Sequence, residues 1–63
     1  MNVIDSIIKN VSTRKTNKGV ERVITLANNM IYVPINQNLA TKESIGKQLI
    51  VYYDNNKKVE TIK

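Results

Sequence analysis

Short apolar runs separated by turn residues set the pattern of this chain, and the clearest pair lies on either side of Asn28-Asn29. Val23-Ile24-Thr25-Leu26 precedes that dipeptide and Met30-Ile31-Tyr32-Val33-Pro34-Ile35 follows it. Asn tolerates positive φ, so Asn-Asn between two β-prone runs predicts a tight hairpin. A two-residue turn sets Leu26 opposite Ile31 and Ile24 opposite Val33, gathering Leu26, Ile24, Ile31, Val33 and Ile35 on one face. Tyr32 then shares the other face with Thr25 and Val23 and is the most accessible of the tyrosines. The unbroken apolar character of Met30 to Ile35 predicts a strand covered on both faces, or by a partner chain. Pro34 has no N–H to offer a ladder, so the end of that strand belongs at a sheet edge or bulge.

A second Asn-Asn, at 55 and 56, follows a strand that Gly46 opens and that runs from Lys47 to Asp54. A two-residue turn here sets Tyr52 against Val59, Leu49 against Ile62 and Asp54 against Lys57, so apolar meets apolar and opposite charges meet. Asn17-Lys18-Gly19 suits a three-residue loop with Gly19 in the left-handed conformation, leading into a strand from Val20 to Leu26. The first segment has two readings. Ile4, Ile7, Ile8 and Val11 have helical spacing, with Asn2 as a candidate N-cap, yet all four are β-branched. Strand is preferred, with a short N-terminal helical turn as the fallback. Asn36 to Ser44 is a polar excursion anchored by Leu39, with room for a helical turn over 40–44 but no strong cap. The sum is an all-β chain of about five short strands, a small SH3-like or OB-like barrel or a curled sheet.

At 63 residues this is one domain, 1–63, of a size that buries only roughly 60% of the surface its unfolded chain exposes. Cys and His are both absent, so disulfides are excluded and the usual zinc ligands are missing. Oligomerisation, a homodimer first, is the remaining reinforcement. No apolar run approaches the ~20 residues of a membrane span and no secretory pattern opens the chain, so the expectation is a soluble, cytoplasmic protein with no membrane partner. The carboxylates Asp5, Glu21, Glu43, Asp54 and Glu60 are scattered beside turns and lysines. Asp54 and Glu60 read as solvated partners of Lys57 and Lys58, and no nucleophile, acid–base pair or phosphate loop is present. The chain is therefore expected to be no enzyme, with no cofactor, no metal and no small-molecule substrate.

Ten Lys and Arg against five Asp and Glu give a formal net charge of +5, a potential that favours polyanions. Arg14, Lys15, Lys18 and Arg22 all belong to the hairpin around Asn17-Lys18-Gly19. Such a hairpin can lie along a groove and contact phosphates, and its arginines can read guanine edges. Lys47, in a looser group with Lys42, Lys57 and Lys58, supports it. Tyr32 is the tyrosine assigned to a base or phosphate contact.

Ile31-Tyr32-Val33-Pro34, Ile45-Gly46-Lys47, Leu49 to Asp54 and Val59 to Ile62 resemble two DNA-associated patterns. One is the SH3-like C-terminal barrel of Mu-type transposases and related integrases, although the interval from Pro34 to Gly46 is longer here. That resemblance implies largely sequence-independent DNA binding without catalysis. The other is the AbrB-type swapped-hairpin transcription factor, which implies an obligate β dimer gripping DNA with arginines. This chain departs from it in having no Arg or Lys between Pro34 and Leu39, and in carrying Lys47 where an acidic residue is usual. The resulting expectation is a DNA-binding protein, a transcription regulator or a viral or mobile-element accessory protein, with RNA as another polyanion to test. The competing expectation is a protein–protein interaction module or homo-oligomer built around Met30 to Ile35 or Leu49 to Tyr53.

Overall fold

The computed structural model describes residues 2–63. It opens with one continuous strand, β1 (Asn2–Thr16), followed by β2 (Gly19–Leu26), β3 (Ile31–Tyr32), a 3-10 turn (Lys42–Ser44), β4 (Gln48–Asp54) and β5 (Lys57–Ile62). All neighbours are antiparallel, and the five strands form one sheet in the order β3-β2-β1-β4-β5. The all-β architecture expected from the pattern is the one observed. Among the described residues no helix is long and apolar enough to cross a membrane.

β1 serves the two halves of this sheet in succession. Asn2 to Ile7 pair with β4, and Ile8 to Thr16 pair with β2, with a register shift between Ile8 and Asn10. That irregularity accounts for the helix-like spacing in the sequence. Ile4 and Ile8 point inward in ordinary alternation and Ile7 points outward; the extra residue then resets the alternation so that Val11 is again inward. The bend curls the two halves of the sheet over a common core of Ile8, Val11, Ile24, Leu26, Tyr32, Ala40, Leu49 and Val51. Ile8, Ile24, Leu49 and Val51 are fully buried, each stabilising the fold by about 1.5–3 kcal/mol of transfer free energy.

The C-terminal hairpin has the expected register: Asp54 faces Lys57, Tyr52 faces Val59 and Leu49 faces Ile62. Gly19 takes a positive φ of 121° as expected, but the ladder runs through Thr16 and Gly19, leaving Asn17-Lys18 as the turn. The β2–β3 hairpin departs from expectation. Its loop is Ala27-Asn28-Asn29, closed by Leu26 N–H donating to Met30 O at 2.9 Å and Asn29 N–H donating to Leu26 O at 2.9 Å. Asn29 sits at φ 67°, so Ile24 pairs with Tyr32 and Thr25 with Ile31. A one-residue shift exchanges the faces of a strand. Tyr32 is therefore in the core, while Ile31, Val33 and Ile35 are exposed. The run from Met30 is also not covered on both faces: β3 is a two-residue edge strand, and it ends before Pro34.

The long connection is tied down at both ends. Leu39 packs on the core as expected. The 3-10 turn has a cap that the sequence reading missed: Thr41 Oγ1 accepts from Glu43 N–H at 3.2 Å and Ser44 Oγ accepts from Thr41 N–H at 3.1 Å.

β3 and β5 are the outer strands of the order, yet Glu60 of β5 joins them. Its carboxylate accepts from the Tyr32 hydroxyl, from Ile35 N–H at 2.9 Å and from Asn36 N–H at 3.1 Å. Glu60 is thus the bond that closes the curl, rather than a solvated partner of a lysine. Lys58 lies over the rings of Tyr32 and Tyr53, 4.7 and 4.9 Å from their centroids. Burial and the neighbouring Glu60 carboxylate raise the Tyr32 phenol well above its ordinary range. Burial pushes Glu60 upward, but the hydrogen bonds from Tyr32, Asn36 and Ile35, with the charge of Lys58, leave it below the ordinary value of 4.5.

Candidate nucleic-acid interface

The β1–β2 ribbon carries four of the cations singled out in the sequence, and its register divides them. Arg14 stands opposite Glu21 on one face, while Lys15, opposite Val20, and Arg22, opposite Thr13, belong to the other. Lys18 is at the turn. The single shared cationic surface expected from the sequence is therefore not formed.

Each arginine is already engaged. Arg14 Nε is hydrogen-bonded and ion-paired to Glu21 Oε1, which offsets its charge. Arg22 is half-buried, and its Nη1 donates to Ala40 O at 2.7 Å and to Gln37 O at 3.2 Å. It holds the long connection against β2 while its charge, balanced by no carboxylate in these bonds, remains. Lys15 and Lys18 are exposed, and the Thr16 hydroxyl braces the turn by accepting from Lys18 N–H at 3.2 Å and donating to Gly19 O at 3.0 Å. Lys47 is exposed beside Ile8, whose N–H donates to Lys47 O at 2.8 Å. That lies roughly 25 Å along β1 from the hairpin tip, too far to act with it on one phosphate. Tyr32, buried at 5% exposure, is unavailable for stacking.

The concave side of the ribbon forms a cleft of about 370 Å³ lined by Asn10, Val11, Ser12, Thr13, Arg22, Thr41 and Lys42. Hydroxyl, amide and cationic groups share this lining with the apolar surface of Val11 and the aliphatic stems, and no carboxylate contributes to it. The cleft also borders an open strand edge. The Arg22 N–H turns away from β1, donating to Gln37 Oε1 at 2.5 Å. Its opposite number Thr13 must then direct its own N–H and C=O away from β2, and alternation gives the same direction to Val11 and Lys15. β4 pairs with β1 only up to Ile7, so these groups have no strand beside them. The equivalent edge of β2 is closed, because the Gln37 side chain both accepts from Arg22 N–H and donates to Arg22 O.

Lys42 had a place only in the looser basic group of the sequence reading, and the edge of β1 had none. Lys42 owes its position to the capped turn at Thr41, and the open edge depends on where β4 stops pairing, neither of which a local pattern encodes. No family model matches this chain, and no curated protein or solved structure matches it.

Proposed function

We propose that this protein binds the phosphate backbone of nucleic acid, duplex DNA in the first instance, along the cleft beside the free edge of β1. The observation that carries the reading is the lining of that cleft: hydroxyls, an amide, Arg22 and Lys42, with no carboxylate. Lys15 and Lys18 extend the positive track toward the hairpin tip, and the outward N–H groups of Val11, Thr13 and Lys15 add main-chain donors of the kind that contact phosphate. Arg14, paired with Glu21, contributes little.

Duplex is favoured over single strands because no aromatic ring lines the cleft. Tyr32 is buried, Tyr53 is half-buried beneath Lys58, and Tyr52 belongs to the outward face of the β1–β4–β5 sheet. Binding without stacking forgoes about 1–3 kcal/mol per base, the main attraction available to unpaired strands.

Fluorescence anisotropy with a labelled duplex tests the proposal. Four neutralised phosphates give an affinity that falls about 100-fold between about 50 and 200 mM salt. Lys18→Glu and Lys42→Glu should each weaken binding about tenfold or more, and Arg14→Glu less. An affinity indifferent to salt, or to both lysine reversals, would defeat the reading.

The open edge of β1 favours a second one, strand addition by an extended acidic peptide. It predicts new amide-exchange protection at Val11, Thr13 and Lys15 on adding a poly-glutamate peptide, with affinity above that for duplex.

A further inference from the structure

Arg22 is fixed at both ends by the long connection. Its main chain is held by the Gln37 side chain, which accepts from Arg22 N–H at 2.5 Å and donates to Arg22 O at 3.3 Å and to Pro34 O at 3.1 Å. Its guanidinium is held through Nη1, which donates to Ala40 O at 2.7 Å and to Gln37 O at 3.2 Å. Both of those acceptors are neutral carbonyls. Folding therefore orders the side chain, at the entropic cost that ligand binding would otherwise bear, and leaves its charge uncompensated by these bonds.

One whole edge of the guanidinium remains free. Among the described residues Arg22 Nε and Nη2 donate to no protein group, and no buried side-chain nitrogen or oxygen lacks a partner, so both nitrogens reach solvent. Nε–H and the Nη2–H beside it form a pair of parallel donors, the fork that takes two oxygens of one oxyanion. Arg14 shows this edge in use, since its Nε donates to the Glu21 carboxylate. Arg22 has no such acid. It lines the cleft together with Lys42 and with Thr13, its cross-strand partner, whose hydroxyl is a further donor.

We propose that Arg22 is a preorganised bidentate clamp for one phosphate, with the Thr13 hydroxyl and the Lys42 ammonium beside it. The inference rests on the phosphate-backbone reading for its ligand, and it assigns one of those contacts to a single edge of a single side chain. A backbone phosphate offers two unesterified oxygens, which match the two parallel N–H groups. Gln37 and Ala40 are the positioning residues: their carbonyls occupy Nη1 and so turn the other edge outward.

Side-chain NMR of the isotope-labelled full chain tests this, following the Nε–H signals of Arg22 and Arg14 as inorganic phosphate or a short duplex is added. Sodium chloride at matched ionic strength is the control. The expected result is a saturating shift of Arg22 Nε–H with both phosphate probes and slowed rotation of its Nη2 group, with Arg14 little changed. Arg22→Lys keeps the charge and loses the fork, so duplex affinity should fall about tenfold or more while the slope of affinity against salt is unchanged. If that variant folds poorly, the titration of the wild-type chain carries the test. A duplex that binds by anisotropy without moving Arg22 Nε–H overturns the clamp and leaves the backbone reading standing. Inorganic phosphate that moves the signal while duplex fails to bind upholds the clamp and removes that reading. A shift with duplex and none with inorganic phosphate assigns the edge to a base and overturns the phosphate clamp. So does the absence of a shift with either probe, or a chloride control that moves the signal as far.

Discussion

Asn-Asn turns the chain twice, at 28–29 and at 55–56, and does so differently each time. Between β4 and β5 it forms a two-residue connection in which neither Asn has positive φ. Between β2 and β3 it is the end of a three-residue loop, with Asn29 at φ 67°. The difference comes from the flanks. Around Asn55-Asn56, one register matches Asp54 with Lys57, Tyr52 with Val59 and Leu49 with Ile62, and a slip would break all three pairs. After Asn28-Asn29 every position from Met30 to Ile35 is apolar, so the run accepts either register equally well. Burial of Tyr32, whose hydroxyl meets Glu60 across the curl, decides between them.

The comparison breaks most visibly at the tyrosines. Tyr32→Ala removes a buried ring and the donor that holds Glu60, and should cost about 3–5 kcal/mol in urea unfolding. Tyr52→Ala, on the exposed face of the well-registered hairpin, should cost under about 1 kcal/mol in the monomer. Equal losses would mean that Tyr32 does not set the β2–β3 register.

Acidity probes the same closure. Glu60 is held below its ordinary value of 4.5, so its contribution is present above about pH 4.5 and is lost as pH falls through the lowered value. Tyr32 is raised above its ordinary value of 10.0, so its contribution is intact below pH 10 and declines as the pH rises further. Thermal unfolding should show a plateau between these limits, and Glu60→Gln should flatten its acid limb. An acid limb unchanged in Glu60→Gln would assign it to other carboxylates.

The smallest effect separates the two turns themselves. Asn29→Ala should cost about 1–2 kcal/mol, because a Cβ without a compensating polar group is strained at positive φ, and Asn29→Gly should be close to neutral. Asn55→Ala and Asn56→Ala should each stay within about 0.5 kcal/mol. A turn at 55–56 as sensitive as that at 29 would remove the distinction.

Much of the strand content was legible, because β-branched and aromatic runs between Asn and Gly turns have few alternatives in so short a chain. The helical spacing of Ile4, Ile7, Ile8 and Val11 misleads because a bulge imitates it. The candidate site was less legible. Arg14 and Arg22 were visible as charges, and Glu21 as an acid within the same hairpin as Arg14, but adjacency in sequence said nothing of the Gln37 and Ala40 carbonyls around Arg22. Tyr32 changed from a surface contact to a core residue through one step of register.

By itself the sequence determined the all-β class, the C-terminal hairpin with its register, the left-handed Gly19 and the +5 charge, since each depends on local propensity, on pairs near in sequence or on simple counting. Tertiary structure alone decided the face of Tyr32, the bonding of Arg22, the closure through Glu60 and the open edge of β1. These depend on residues 15 to 28 positions apart, or on where one strand ceases to cover another, and only the folded backbone brings such groups within hydrogen-bonding reach.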